Sequence, residues 1–278
     1  MPNPMVSVIV PTYNSHDNLK DFLESFFMSS YENFEIIVND DLRSSDKSNE
    51  LCNEYKQKGL DVKYFQENKS MAQGRKRGVD FSTGEILLHL DSDMKVTKDL
   101  LKECGELIVS GYDALVMPEE SYGTTFWAKC KWLEKKCYEN VEEIQSLRCI
   151  KKDVYVKVGG HDECMIFSED KDLDIRVRDA GYKVGETKNF LYHNEGNLKL
   201  LKTLKKKLNY SNTANLFAEK HPKQFRWQAN PVNRYIIFLK NIKYLFIHPL
   251  LYIGMIFMKT CEYVFATFGY FRKISNKK

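Results

Sequence analysis

Short apolar runs alternate along the first hundred residues with stretches in which apolar side chains recur every three or four positions. Residues 5–10 are rich in β-formers and break at Pro11-Thr12-Tyr13-Asn14. Residues 17–28 then carry Leu19, Phe22, Leu23 and Phe26 at helical spacing. A second apolar run, 34–38, stops at Asn39-Asp40-Asp41, after which Ser45 or Asp46 is placed to cap a helix ending at Gly59. Residues 62–65 predict a third strand, and 70–81 a helix bearing Arg75, Lys76 and Arg77. Residues 85–90 predict a buried strand that ends at Asp91-Ser92-Asp93. Strands alternating with helices predict an α/β fold with a mostly parallel central sheet and helices on both faces. In such sheets ligands gather beyond the carboxyl ends of the strands.

Farther along, 114–117 predict another strand. Residues 122–147 predict a long helix or helix pair with Trp127, Trp132, Leu133 and Tyr138 on its apolar side. The pattern then changes. Residues 197–210 place Leu201, Leu204 and Leu208 on one side and Lys199, Lys202 and Lys206 on another, as in a basic amphipathic helix suited to an anionic membrane or to a solvated domain face. Residues 235–271 are dense in Ile, Leu, Phe, Tyr and Met, but the longest stretch without Lys, Arg, Asp or Glu is 244–258. A spanning helix wants roughly 20 apolar residues, so two in-plane helices joined near Pro249 are expected, anchoring the chain peripherally or monotopically.

Composition narrows the class. The chain has 278 residues, 43% hydrophobic and 13% aromatic, which describes a folded protein with one substantial core and an appended region. Its 42 basic and 38 acidic residues leave a net charge of +4, too mild to suggest nucleic acid. Seven cysteines form no Cys-x-x-Cys pair and no zinc-spaced cluster; together with an N-terminus that runs straight into a strand, they predict reduced thiols and a cytoplasmic setting.

The candidate chemistry lies in carboxylates. Asp91 and Asp93, with one small residue between them at a strand end, suit a hard divalent cation, Mn2+ or Mg2+, that also touches a diphosphate. Glu169-Asp170 opens a predicted helix running to about Ala180, whose N-terminal dipole favours the ionised form; an ordinary acidic helix start would look the same. His193 is placed either near such a cation or in a solvated loop.

Four ordered blocks carry a family resemblance: Ser7-Val8-Ile9-Val10-Pro11-Thr12-Tyr13-Asn14; Glu35-Ile36-Ile37-Val38-Asn39-Asp40-Asp41; Gly84 to Asp93; and Gly159-Gly160-His161-Asp162-Glu163 followed by Ser168-Glu169-Asp170-Lys171-Asp172-Leu173-Asp174. In this order, over roughly 5–195, they resemble the family 2 inverting glycosyltransferases of the GT-A fold. The resemblance implies a GT-A catalytic domain at 1–195, with a donor half at 1–95 and an acceptor half at 96–195, followed by a helical membrane-associating region at 196–278. It implies that Pro11, Thr12, Tyr13, Asp40, Asp41, Arg75, Asp91 and Ser92 hold a UDP-, GDP- or dTDP-linked sugar, Tyr13 stacking on the base and Arg75 lying near the diphosphate. Asp93, Asp91 and His193 would hold the metal. His161, Asp162, Glu163 and Glu169 would face the acceptor, a hydroxyl on a lipid-linked saccharide at the cytoplasmic membrane face, and Asp170 would be the base. Leu42-Arg43 stand where the family usually has Gly-Ser. The alternatives are a polyprenyl-phosphate sugar synthase, whose acceptor needs no base, and a catalytically silent scaffold.

Overall fold

A computed structural model describes residues 3–211 and 213–275. In chain order the elements are β1 (Val6–Thr12), α1 (His16–Phe26), β2 (Phe34–Asp41), α2 (Ser48–Gln57), β3 (Val62–Asn68), α3 (Met71–Asp80), β4 (Ile86–His89), β5 (Met94–Val96), α4 (Leu100–Val109), β6 (Ala114–Val116), β7 (Glu119–Tyr122), α5 (Phe126–Cys137), β8 (Leu147–Lys151), α6 (Lys152–Lys157), α7 (Glu169–Asp179), β9 (Val184–Glu186) and β10 (Leu191–Asn194). Helices alone follow: α8 (Leu200–Ser211), α9 (Ala214–Lys220), α10 (Pro222–Ala229), α11 (Pro231–Lys240), α12 (Lys243–Ile247) and α13 (Pro249–Ser275). They form two compact units, one of residues 1–119, 146–164 and 169–193, the other of 120–145, 165–168 and 194–278. The segment 120–145, read from the sequence as part of the acceptor half, thus groups with the C-terminal helices.

The first unit is built on a seven-stranded sheet of order β3-β2-β1-β4-β8-β6-β9. β1, β2, β3 and β4 pair in parallel, as the apolar runs predict, whereas β8 enters antiparallel between β4 and β6. β1, β2 and β4 are buried on both faces, which is why their sequences read as apolar runs rather than alternating ones, whereas β3 at the sheet edge is only partly buried. One face packs Val8, Val10, Ile36 and Leu88 against α1, α2 and α4; the other packs Ile9, Ile37 and Leu87 with Val79, Leu173 and Val177.

α3 lies unusually close to the sheet. A Cβ on Gly74 would come within 2.7 Å of Pro11 Cβ, and one on Gly78 would run into the side chain of Ile9. The two glycines, one helical turn apart, form the face that meets β1, and Ser70 caps the helix by accepting the Gln73 N–H. The predicted cap of α2 is displaced. Its N-cap is Lys47, while Asp46 accepts N–H bonds from Ser48 and from His16 at the start of α1, joining two helices.

The second unit has its own core, in which Cys130, Leu133 and Cys137 of α5 meet Phe238 of α11 and Tyr252, Met255 and Met258 of α13. The chain does break before Pro249, which opens α13. Beyond that break the helix is longer than the sequence suggested: Pro249–Phe271 is long and apolar enough to cross a membrane by length and composition. The charged residues that interrupt it, Lys259 and Glu262, are buried and paired with each other, and Lys259 also meets Glu134 at 2.5 Å. Of the predicted stripe on α8, Leu204 is buried, Leu208 half-buried and Leu201 exposed.

Candidate active site

Parallel pairing of β1, β2 and β4 brings their carboxyl ends to one edge. At that edge Thr12 lies in register with Asp40 and donates its hydroxyl to Asp40 Oδ1. Asp40 also accepts from Ser44 Oγ, Tyr64 Oη and the Asp41 N–H. Three of these donors fall on Oδ1 and Tyr64 alone on Oδ2, so this buried carboxylate ties the loop together. Tyr13, by contrast, is 52% exposed. Asp41 is covered: Arg43 Nε donates to one oxygen at 2.8 Å and Arg43 Nη2 to the other at 2.6 Å, and the guanidinium lies 5.5 Å from the Tyr13 ring. Those Arg43 bonds hold the Asp41 carboxyl below its ordinary value. Where the family has Gly-Ser, this chain therefore sets a cation against both the acidic and the aromatic group at the end of β1 and β2.

The centre of the edge is a continuous charge network. Arg75 of α3 is 1% exposed. Its Nη2 donates to Asp91 Oδ1 at 2.7 Å, its Nη1 donates to Glu169 Oε1 at 2.7 Å, and Asp170 Oδ1 lies 3.3 Å from the same nitrogen. Sequence reasoning placed Arg75 beside a diphosphate; buried and committed to three carboxylates, it organises acids instead. Arg148 of β8 continues the network, 3.6 Å from Asp91 Oδ2 and donating twice to Glu119 Oε1. Neither Arg148 nor Glu119 was singled out from sequence. The available signal was an arginine flanked by Leu147, Cys149 and Ile150 in the strand Leu147–Lys151, a position that must find a polar partner.

The β5–β10 pairing sets Met94 opposite His193, which brings His193 beside Asp93, Nε2 to Oδ2 at 3.5 Å. Glu119 Oε2 lies 3.0 Å from His193 Nδ1, so the ring stands between two carboxylates; with an Nδ1 proton given to Glu119, its Nε2 would be open to a cation on the Asp93 side. A carboxylate behind a histidine is the usual support of an imidazole metal ligand. Asp91, expected to share the cation, is instead given to the two arginines. No group of three His, Cys, Asp or Glu side chains among the described residues is arranged to hold a metal. Asp93 and His193 nevertheless suit a cation that keeps waters and takes its remaining oxygens from a diphosphate. Ser92 is half-buried between the two aspartates.

The Gly159-Gly160 turn and α7 are pinned to each other by Arg176. It donates to the carbonyls of Val158 and Gly160 at 2.5 and 2.6 Å and pairs with buried Asp172. Gly159 and Gly160 both have positive φ, 85° and 65°, the reason the turn needs two glycines. Asp162 accepts the Cys164 N–H, and exposed Glu163 pairs with Lys76 at 3.2 Å. His161, expected to touch an acceptor, is 1% exposed and instead faces inward, its Nε2 3.4 Å from Asp170 Oδ1.

Glu169 and Asp170 share one environment but divide its charge. Burial raises the Asp170 carboxyl, but Arg75, His161 and Arg148 outweigh that and hold it well below its ordinary value, ionised. Burial and the Asp170 charge push Glu169 up to about 7. The folded state therefore binds a proton at Glu169 that the unfolded chain, near 4.5, does not. That stabilisation is full below about 4.5 and is lost as pH rises through 7, about 3 kcal/mol in all, of which about 2 kcal/mol falls between pH 5.5 and 8.5. Glu169→Gln is expected to shrink the difference in urea-unfolding free energy between pH 5.5 and 8.5 by about that amount. An unchanged difference would assign the proton elsewhere.

Comparisons with known proteins fit this geometry. The family described as Glycosyl transferase family 2 matches residues 7–169. The chain is 33% identical over 102 residues to the putative teichuronic acid biosynthesis glycosyltransferase TuaG of Bacillus subtilis, covering 36% of this chain and 40% of that protein. It is 36% identical over 107 residues to the Staphylococcus aureus poly(ribitol-phosphate) beta-N-acetylglucosaminyltransferase TarS, 37% of this chain and 18% of that one. The chain thus matches less than half the length of these curated relatives. Among solved structures, a Pyrobaculum calidifontis mannosyltransferase, PcManGT, in complex with GDP-Man and Mn2+ superposes with TM-score 0.71 at 14% identity, over 100% of this chain and 89% of that one. S. aureus TarS 1-349 in complex with UDP-GlcNAc gives 0.57 at 15% identity, over 98% and 92%. At such identities these likenesses show the fold, which is GT-A.

Proposed function

The chain belongs to glycosyl transferase family 2, and from that premise we propose that it transfers a sugar from a nucleotide-diphosphate donor to a hydroxyl acceptor with inversion, Asp170 acting as general base. One observation carries the reading. Arg75 gathers Asp91 from the end of β4 and Glu169 and Asp170 from the start of α7 at the edge where α/β sheets bind ligands. The nearest approaches of Arg75 and His161 to Asp170 are both to Oδ1, and the side chain is 29% exposed, which favours Oδ2 as the oxygen turned to an acceptor. The acceptor O–H gives its proton to Asp170 as the oxygen bonds to the anomeric carbon; the bond to the diphosphate breaks from the opposite face and its electrons leave with the phosphate. Asp93 and His193 would hold a divalent cation, which when bound offsets the charge growing on the diphosphate.

Exposed Tyr13 is the surface for a nucleobase, with the Asp41–Arg43 pair beside it to read hydrogen bonds. The names of the relatives, which concern teichuronic acid and poly(ribitol-phosphate), support a cell-envelope glycan as acceptor. Thermal shift with UDP-GlcNAc, GDP-mannose and a dTDP-sugar, with and without manganese, tests the donor site, because a bound donor raises stability with occupancy. One of them is expected to stabilise the protein only with manganese present, and Asp93→Asn to abolish that dependence. No shift from any donor in the wild type would count against the reading.

The second unit supplies the membrane face. α13 exposes Leu250, Ile253, Phe257, Val264, Phe268 and Phe271 at helical spacing, while Lys259 and Glu262 lie on the buried side. α8 exposes Lys199, Lys202, Lys205 and Lys206 in or beside it. Apolar stripe, inward charge and basic neighbour together favour a helix lying in the interface over one that spans it. Ending the chain near Asn230 would strip Phe238, Tyr252, Met255 and Met258 from the core of this unit, so surface changes are the cleaner test. Leu250→Asp with Phe257→Asp is expected to move the protein from the pellet to the supernatant of a sedimentation assay with phosphatidylglycerol vesicles. Equal partitioning would reject this face.

A further inference from the structure

Beneath Asp170 lies a buried cluster that the reaction as written does not use: His89 at the end of β4, Tyr155 on α6, and His161 after the two-glycine turn. The His161 ring centroid is 4.8 Å from that of His89, edge to face, and His89 lies against Tyr155 at 5.4 Å. Among the described residues neither ring nitrogen of His89 has a hydrogen-bond partner, so it serves as a wall. Gly160 allows the approach, because a Cβ there would come within 2.6 Å of the Tyr155 ring.

The hydrogen bonds around His161 select one tautomer. Tyr155 Oη accepts the His161 backbone N–H at 3.0 Å and lies 3.0 Å from His161 Nδ1. If Nδ1 carried the proton, the Tyr155 oxygen would accept twice and its own hydrogen would be buried without a partner, a loss of about 1–3 kcal/mol. The bare Nε2 would then face Asp170 Oδ1 at 3.4 Å, acceptor against acceptor. With the hydrogen of Tyr155 donated to Nδ1, the proton sits on Nε2 and points at Asp170, and both conflicts disappear. Burial disfavours a second proton.

We propose that His161 is a positioning residue for Asp170: a neutral imidazole, locked as the Nε2–H tautomer by Tyr155, that fixes Oδ1 so that Oδ2 stays turned toward the acceptor. Without that donor the carboxylate can rotate and close both oxygens on Arg75, which withdraws the base. The proposal rests on Asp170 being the base, but its tautomer half does not.

Two measurements separate the parts. In the histidine 15N spectrum of the full chain, with the signal assigned by its loss in His161→Gln, Nε2 is expected to be pyrrole-like and Nδ1 pyridine-like. The reverse assignment, or a doubly protonated ring at pH 7.5, overturns the proposal whatever Asp170 does. The second measurement is release of nucleoside diphosphate from whichever of UDP-GlcNAc and GDP-mannose the wild type hydrolyses with manganese. His161→Phe, which keeps a ring but no donor, is expected to lower kcat about 10- to 100-fold with KM within about twofold. His161→Gln, whose amide can donate from the same place, is expected to stay within about threefold of wild type. Equal loss in both variants, or a raised KM at unchanged kcat, overturns the positioning role. Unchanged turnover in Asp170→Asn would instead strike the base assignment while leaving the tautomer result standing.

Discussion

Asp170→Asn should lower turnover by about 10²- to 10⁴-fold, the usual contribution of a general base, while the donor continues to bind. The asparagine keeps the shape and still accepts from His161, and Arg75 keeps its two shorter partners, Asp91 and Glu169. What is lost is the capacity to take a proton. Nucleoside diphosphate release under saturating donor reads the first quantity, and thermal shift with the same donor reads the second. Wild-type turnover in the variant would remove Asp170 from the chemistry. Loss of donor binding alongside activity would place it in the donor site instead.

Arg75→Met should cost about 3–5 kcal/mol of folding stability, because it removes the buried common partner of three half-buried carboxylates and leaves Glu169 and Asp170 side by side without it. The side-chain volume is nearly kept, so the loss is electrostatic. Its pH dependence identifies it. In the wild type the depressed Asp170 carboxyl contributes stability that is present above its ordinary value of 3.8 and lost as pH falls below it. Without Arg75, Asp170 and Glu169 lose a positive charge that lowers both, and the folded state gains by binding protons there as pH falls. The gap between wild type and variant should therefore be widest near pH 8 and narrow toward pH 5, by urea unfolding. A gap independent of pH would mean that packing around α3, rather than charge, is what the arginine supplies.

The elements near this site were readable in the chain because each is a local pattern. Apolar runs buried on both faces marked β1, β2 and β4 within a few residues, a shorter apolar run marked the edge strand β3, and helical spacing marked α3. The departure at Leu42-Arg43 was also visible. Its effect, a cation closing over Asp41, was not, because it depends on how the side chain folds back across the turn. Arg148 and Glu119 were missed for a related reason. β8 reaches the sheet by an antiparallel insertion between β4 and β6, and no periodicity in five residues states which strands will flank them. His161 was legible as part of a block but not as a buried group, since its partner Tyr155 is fixed only once two glycines turn the chain back. The division of 120–145 from the acceptor half likewise rests on contacts among distant helices.

The closeness of α3 to β1 has a consequence for the charges beyond it. Arg75 stands between Gly74 and Gly78, and the helix can sit where it does only because two methyl groups are missing from its inner face. A guanidinium that serves three acids at close range tolerates little displacement, so the accuracy of this electrostatic hub is set by bare backbone, at positions that carry no charge.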